Sequence, residues 1–247
     1  MSAKRVLSLR SCDTVAEKPE NLHDFRVVEY TSQHWNRLVS LRKRAIEVMA
    51  SLSQSNIPSF TYGSVARGDV SDSSDIDIII PHPVSSYRVE VAVGSGIKRE
   101  LVQATPSTVL KGHIHLDYET VVTFPLFKFM PREREFYRWG GQLSLEGLKS
   151  QKRVSGVDKR LLLIEPIDKG HVESGIIGNE ARVAKILGVS VEIANERIRV
   201  LHRRDQVGRT GVYLTRRLTP DEGFEQVAKA LKDSDPALRR TISRRRR

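Results

Sequence analysis

One cysteine, Cys12, stands among 247 residues, so no disulfide can close within the chain and a cysteine-built zinc site is excluded. That scarcity points to a reducing compartment. Long apolar runs are missing too: nothing approaches the ~20 residues of a membrane helix, and the opening MSAKRVLSLRSCD lacks the apolar centre of a secretory signal. A cytoplasmic protein is the expectation. Acidic residues are in deficit, 30 against 41 lysines and arginines, which leaves a formal net charge of +11. Such an excess favours polyanionic partners such as nucleic acid, nucleotides or acidic membrane surfaces. No internal repeat of any length is present.

With 39% hydrophobic residues the chain can bury a core, and its length allows more than one domain. Residues 1–30 show no clear period and read as an arm or an irregular strand. From Trp35 the positions Leu38, Leu41, Ala45, Ile46, Met49 and Leu52 follow helical spacing as far as about Ser53, with Arg37, Arg42, Lys43 and Arg44 on the solvated face. A short apolar piece, Ser59 to Tyr62, leads into a glycine turn. After it Ile76, Ile78, Ile79 and Ile80 make a buried strand stopped by Pro81 and Pro83. Val84 to Val93 suits either a strand or a helix capped by Gly94, and a crossover helix serves the topology better. Ile97–Ala104 and Gly112–Phe124 read as further strands, so residues 31–125 make a domain with a mixed sheet.

Residues 126–175 form a looser connecting region, with a helix over Arg132–Trp139 and a strand over Leu161–Ile164. Lys152, Arg153, Lys159 and Arg160 line a cleft there or face water. Over residues 176–235, two helices meet at Gly188-Val189-Ser190, and glycines 208 and 211 precede a short strand, the layout of a winged helix-turn-helix. Arg197, Arg203 and Arg204 on the second helix and Arg209 in the wing would meet nucleic-acid phosphates. Residues 236–247 read as a basic, non-specific tail ending in four arginines.

The chemistry concentrates in YGSVARGDVSDSSDIDIII, Tyr62 to Ile80. A P-loop needs lysine and hydroxyl where Asp69 and Val70 stand, and an EF-hand loop begun at Asp69 needs glycine where Ser74 stands. Asp75 and Asp77, two residues apart in a strand, project from one face. Two such carboxylates repel unless a cation joins them, and hard oxygen ligands suit Mg²⁺ carrying substrate phosphates. Gly63 permits close backbone approach, while the Ser64 hydroxyl and the N–H groups opening the following turn can bind phosphate oxygens.

Gly63-Ser64, Ala66-Arg67-Gly68 and Ser74-Asp75-Ile76-Asp77 resemble the signature of the nucleotidyltransferase superfamily that includes DNA polymerase beta and the CCA-adding enzymes. The resemblance is specific over Phe60 to Ile80 and extends in layout over Trp35 to Phe124. It implies an α+β fold with a mixed sheet and flanking helices, followed here by the connecting region and the winged helix-turn-helix. It also implies transfer of a nucleoside monophosphate from a triphosphate to an acceptor hydroxyl by two Mg²⁺ ions, with Mn²⁺ an alternative. Asp75 and Asp77 would be shared metal ligands, and Gly63 and Ser64 would bind the β- and γ-phosphates. Arg67 either assists with phosphate or stacks outward. The family's third carboxylate falls on HIHLDYE, with Asp117 first and Glu119 second; read as one strand, it puts His113, His115, Asp117 and Glu119 on one face. The two histidines supply too few ligands for zinc and read as facing a cleft or solvent. Nucleic acid is the expected acceptor. The competing expectations are a DNA-binding regulator whose transferase domain senses a ligand, and a minimal transferase acting on protein or small molecules.

Overall fold

The computed structural model describes residues 19, 20, 22, 24–208 and 211–245. Cys12, Arg209 and the last two arginines lie outside them, as does most of the expected N-terminal arm. In chain order the elements begin with β1 (Arg26–Glu29), α1 (Ser32–Gln54), β2 (Phe60–Tyr62), α2 (Ser64–Arg67), β3 (Ile76–Ile79), α3 (Ser86–Val93), β4 (Lys98–Gln103), β5 (Lys111–His115) and β6 (Thr120–Pro125). They continue with α4 (Pro131–Trp139), β7 (Gln142–Ser144), α5 (Leu145–Lys149), β8 (Gly156–Val157), β9 (Leu162–Ile167) and β10 (Gly170–Gly175). The chain closes with α6 (Glu180–Leu187), α7 (Val191–Val207), β11 (Leu214–Arg217), α8 (Phe224–Ser234) and α9 (Pro236–Arg245).

Thr31 starts α1 by accepting a hydrogen bond from the His34 amide, and Leu38, Leu41, Ala45, Val48, Met49 and Leu52 recur on its buried face. That face lies on the larger of two sheets, whose strand order is β11-β4-β5-β6-β3-β2-β7. Only β3 and β6 pair in parallel; their neighbours are antiparallel. Alternation sends Ile76, Ile78, Val122, Phe124, Ile114 and Leu101 into the core shared with α1, α3, α8 and α9. The opposite face carries Asp77, Val121, His113, His115 and Glu100, with Ile79, Val109, Phe129 and Tyr137 closing a smaller cluster beside them. A second sheet, β1-β10-β9-β8, packs through Val157, Leu161, Leu163 and Ile176 against Trp139 of α4, Val183 of α6, and Ile193 and Ala194 of α7.

Four expectations change. Gly112–Phe124 is two strands, because Leu116–Glu119 form the turn of an antiparallel hairpin. The α6–α7 pair and its αL glycine, Gly188, are present. No wing follows among the described residues: β11 pairs antiparallel with β4 at the edge of the larger sheet, so the chain returns to the first domain. Residues 236–245 are a helix, whose Arg245 is buried between both carboxylate oxygens of Glu133 and the Ser107 and Lys128 carbonyls. Finally, α1's basic face is not simply solvated, since Arg42 is buried and Arg37 and Arg44 each hold a carboxylate.

Candidate active site

Gly63 follows β2 with φ +80° and ψ −149°, a region essentially reserved for glycine. Its amide donates to the Gly141 carbonyl at 3.0 Å, and its own carbonyl accepts from the Ala66 and Arg67 amides that open α2. Ser64 Oγ donates to Ser74 Oγ at 3.1 Å, while the Ser71 amide reaches the same Ser74 hydroxyl at 2.8 Å. A serine clasp therefore joins the glycine turn to the residue preceding Asp75. From behind, Arg42 donates to the Val65, Ala66 and Lys152 carbonyls. Burial lowers that guanidinium to about 10, against its ordinary 12.5.

Asp77 lies mid-strand opposite Tyr62 and beside Val121, half-buried, while Asp75 stands exposed at the entrance to β3. Neither carboxylate makes an ion pair or side-chain hydrogen bond among the described residues. Burial, and then the charge of Asp75, push Asp77 up to about 6. Burial raises Asp75 as well, opposed by Lys159 and Arg37 and aided by Glu119. Two carboxylates on one face, one of them sunk into the strand and neither paired among the described residues, form a donor set that fits a hard divalent ion.

The hairpin register decides what joins them. Ile76 is opposite Thr120, and the Ile76 amide donates to the Glu119 carbonyl at 2.7 Å, so Asp75 and Glu119 meet at the start of the parallel pair. Asp117 is engaged elsewhere, since its Oδ1 accepts from the Glu119 and Thr120 amides and its Oδ2 accepts from Arg44 at 3.1 Å. Burial alone would raise Asp117, but the bonds from Thr120, Glu119 and Arg44 hold it below the usual carboxylate range. Asp117 is thus a turn-closing residue rather than one on a strand beside the aspartate pair, and Glu119 stands nearer Asp75. Arg37 holds Glu119 at 2.7 Å.

Arg67 is equally committed. Its guanidinium grips Asp69 through two bonds, at 2.9 and 2.8 Å, and donates to the Gly140 carbonyl at 2.6 Å, all out of solvent. The phosphate role expected of it has no free donor face. Of the four basic residues in the connecting region, Lys159, exposed in the turn before β9, is the one whose charge reaches both Asp75 and Asp77. Arg160 is taken by Asp158 and Glu173, and Arg153 by the Ile167 and Gly170 carbonyls.

Sequence reasoning missed Glu100, which shares its sheet face with the two histidines: its Oε1 is 2.8 Å from His115 Nε2 and its Oε2 is 2.8 Å from Lys98 Nζ. The alternation Lys98-Arg99-Glu100 carried a signal, since Lys98 and Glu100 share a face, but pairing β4 with β5 is a long-range fact. Of the arginines expected at nucleic acid, Arg203 and Arg204 are exposed on α7, whereas Arg197 lies 5.0 Å over the Phe136 ring of α4.

A glycine turn, an aspartate pair on a mixed sheet and Glu119 at the start of the adjoining strand make an arrangement suited to handling phosphate. Residues 42–167, just over half of the chain, match the family model for the nucleotidyltransferase domain. The chain belongs to that family. Comparisons with curated proteins and with solved structures find no significant match. Transfer of a nucleoside monophosphate is the general function this membership supports, with a nucleotide as substrate. No helix among the described residues is long and apolar enough to cross a membrane.

Proposed function

We propose that the protein is a divalent-metal-dependent nucleotidyltransferase that moves a nucleoside monophosphate from a triphosphate to a hydroxyl on nucleic acid. The observation that carries the reading is the Asp75–Asp77 pair, unpaired among the described residues and with Asp77 sunk into the strand, beside a glycine turn that the serine clasp holds in place. A regulator that merely sensed a ligand would have no need of two mutually destabilising carboxylates.

Ser64 at the head of the turn would meet the β- and γ-phosphates through its backbone amide and, on rotating away from Ser74, its hydroxyl; the Gly63 amide stays with the Gly141 carbonyl and shapes the turn, and Lys159 adds a cation whose charge reaches both aspartates. Asp75, Asp77 and Glu119 would hold the divalent ions, two in the family's scheme. Bound there, such ions neutralise the triphosphate and lower the pKa of the acceptor hydroxyl. Glu119, oriented by Arg37, takes the acceptor proton as the acceptor oxygen bonds to the α-phosphorus and the bond to the pyrophosphate oxygen breaks. Arg67 and Asp117 hold the scaffold on either side. The charge of +11 and the exposed Arg203 and Arg204 support nucleic acid as the acceptor class.

The test is incubation of the purified protein with each α-labelled NTP, Mg²⁺ and separate pools of cellular RNA, DNA and protein, beside Asp75→Ala/Asp77→Ala. Label in a nucleic-acid pool that vanishes in the variant is the expected result. Label confined to protein would move the acceptor class. Absence of label in every pool with Mg²⁺ and Mn²⁺ would remove catalysis.

A further inference from the structure

We infer that the same sheet face carries a second, separate metal site for a borderline-soft divalent ion of the zinc class, built by Glu100, His113 and His115. One ligand atom from each lies within 4.8 Å of the others, a modest contraction away from the spacing of a tetrahedral site. The residues come from two adjacent antiparallel strands. Glu100 is opposite His113 in the β4–β5 register, and His115 is two residues on, so the pleat points all three side chains the same way.

A second observation points to a missing partner. His113 Nε2 is fully buried and has no hydrogen-bond partner, an arrangement that is costly for a ring nitrogen unless something is bound there. Glu100 Oε2 is fixed by Lys98, and Oε1 shares a 2.8 Å hydrogen bond with His115 Nε2 that a metal ion would replace by binding both atoms. The His115 side chain is more exposed than that of Glu100, 24% against 10%, so a fourth, open position would lie on its side. Imidazole with one carboxylate selects zinc, cobalt or nickel over magnesium.

This site is distinct from the aspartate pair. Asp77, Val121 and His115 are in line on consecutive strands, so two strand spacings, about 10 Å, separate the two centres. A catalytic two-metal pair needs only ~3.5–4 Å. Lys98 and Lys111 place positive charge close by, which weakens affinity without removing a ligand.

The experiment is titration of the metal-stripped full chain with Co²⁺, read by visible d–d absorption, and with Zn²⁺ by calorimetry. It is run on wild type, Asp75→Asn/Asp77→Asn, His113→Ala, His115→Ala and Glu100→Gln, with circular dichroism as the folding check. We expect one equivalent with a tetrahedral spectrum in wild type and in the double aspartate variant. Affinity should fall by more than the ~10–100-fold that loss of an outer-sphere partner costs when His115 is changed, the substitution least able to disturb the core. Binding that survives His115→Ala but disappears in Asp75→Asn/Asp77→Asn would overturn the proposal, as would no uptake of Co²⁺ or Zn²⁺ by wild type. The readout is binding, so failure of the transferase reading leaves it standing, and the reverse also holds.

Discussion

Asp77 carries its charge at the expense of the fold. Its carboxyl rises from an ordinary 3.8 to about 6, so the folded chain binds a proton more tightly than the unfolded one between those values. Stability must therefore fall as pH climbs through that window and stay lower above it, by about 3 kcal/mol if the whole displacement counts. Asp77→Asn removes the charge and should gain about 1–3 kcal/mol near pH 7.5 and nothing near pH 4, while abolishing transfer. Urea unfolding of both proteins at the two pH values checks it. A wild type that became more stable, relative to the variant, as pH rose would contradict the burial argument. The same logic fixes the effect of metal: millimolar Mg²⁺ should raise the melting temperature of wild type and leave that of Asp77→Asn almost unmoved.

At the scale of elements, the glycine turn is positioned by groups outside it. Gly63 has open space where a Cβ would go, yet its backbone conformation excludes a side chain. Gly63→Ala should cost about 1–3 kcal/mol of backbone strain or flatten the turn, and raise KM for the NTP more than it lowers kcat. Arg42 makes a different contribution, holding three carbonyls from a buried position on α1. Arg42→Met leaves those acceptors unpaired and should lose about 2–4 kcal/mol, a drop visible in denaturant titration.

The glycine–serine turn, the aspartate spacing, α1 and α4 were legible from local pattern, because capping, spacing and alternation are local, whereas α3 fitted strand and helix alike and was reached only through the need for a crossover. The role of Arg42 was not, since an arginine between leucines at helical spacing looks the same whether its tip meets water or a carbonyl. Asp117 misled for a related reason: the apolar-acid-apolar pattern fits a strand, and nothing in LDYE is a strong turn signal, so the bend at Leu116–Glu119 depends on pairing β5 with β6. Glu119, the second choice, acquires its place beside Asp75 from that same bend.

For the molecule as a whole, the decisive fact is that the C-terminal segment pairs with and packs on the larger sheet. The helix pair, the glycines and the short strand matched a winged helix locally, but β11 closes the sheet edge at β4. Phe224 of α8 is fully buried, with its ring edge-on to Phe124 at 5.0 Å, and Leu238 and Ile242 of α9 join the same core. A detachable DNA-binding module would leave the remainder intact when removed. Here, ending the chain at residue 208 strips the β4 edge and removes Phe224, Val227, Leu238 and Ile242 from the core, leaving Phe124 without its ring partner. We expect that shortened chain to be aggregated or molten, with lost near-UV circular dichroism. Phe224→Ala in the full chain should cost about 3–5 kcal/mol. A residue 1–208 chain that unfolds cooperatively at the wild-type midpoint would instead make α8 and α9 an appendage and return the helix pair to the status of a separate domain.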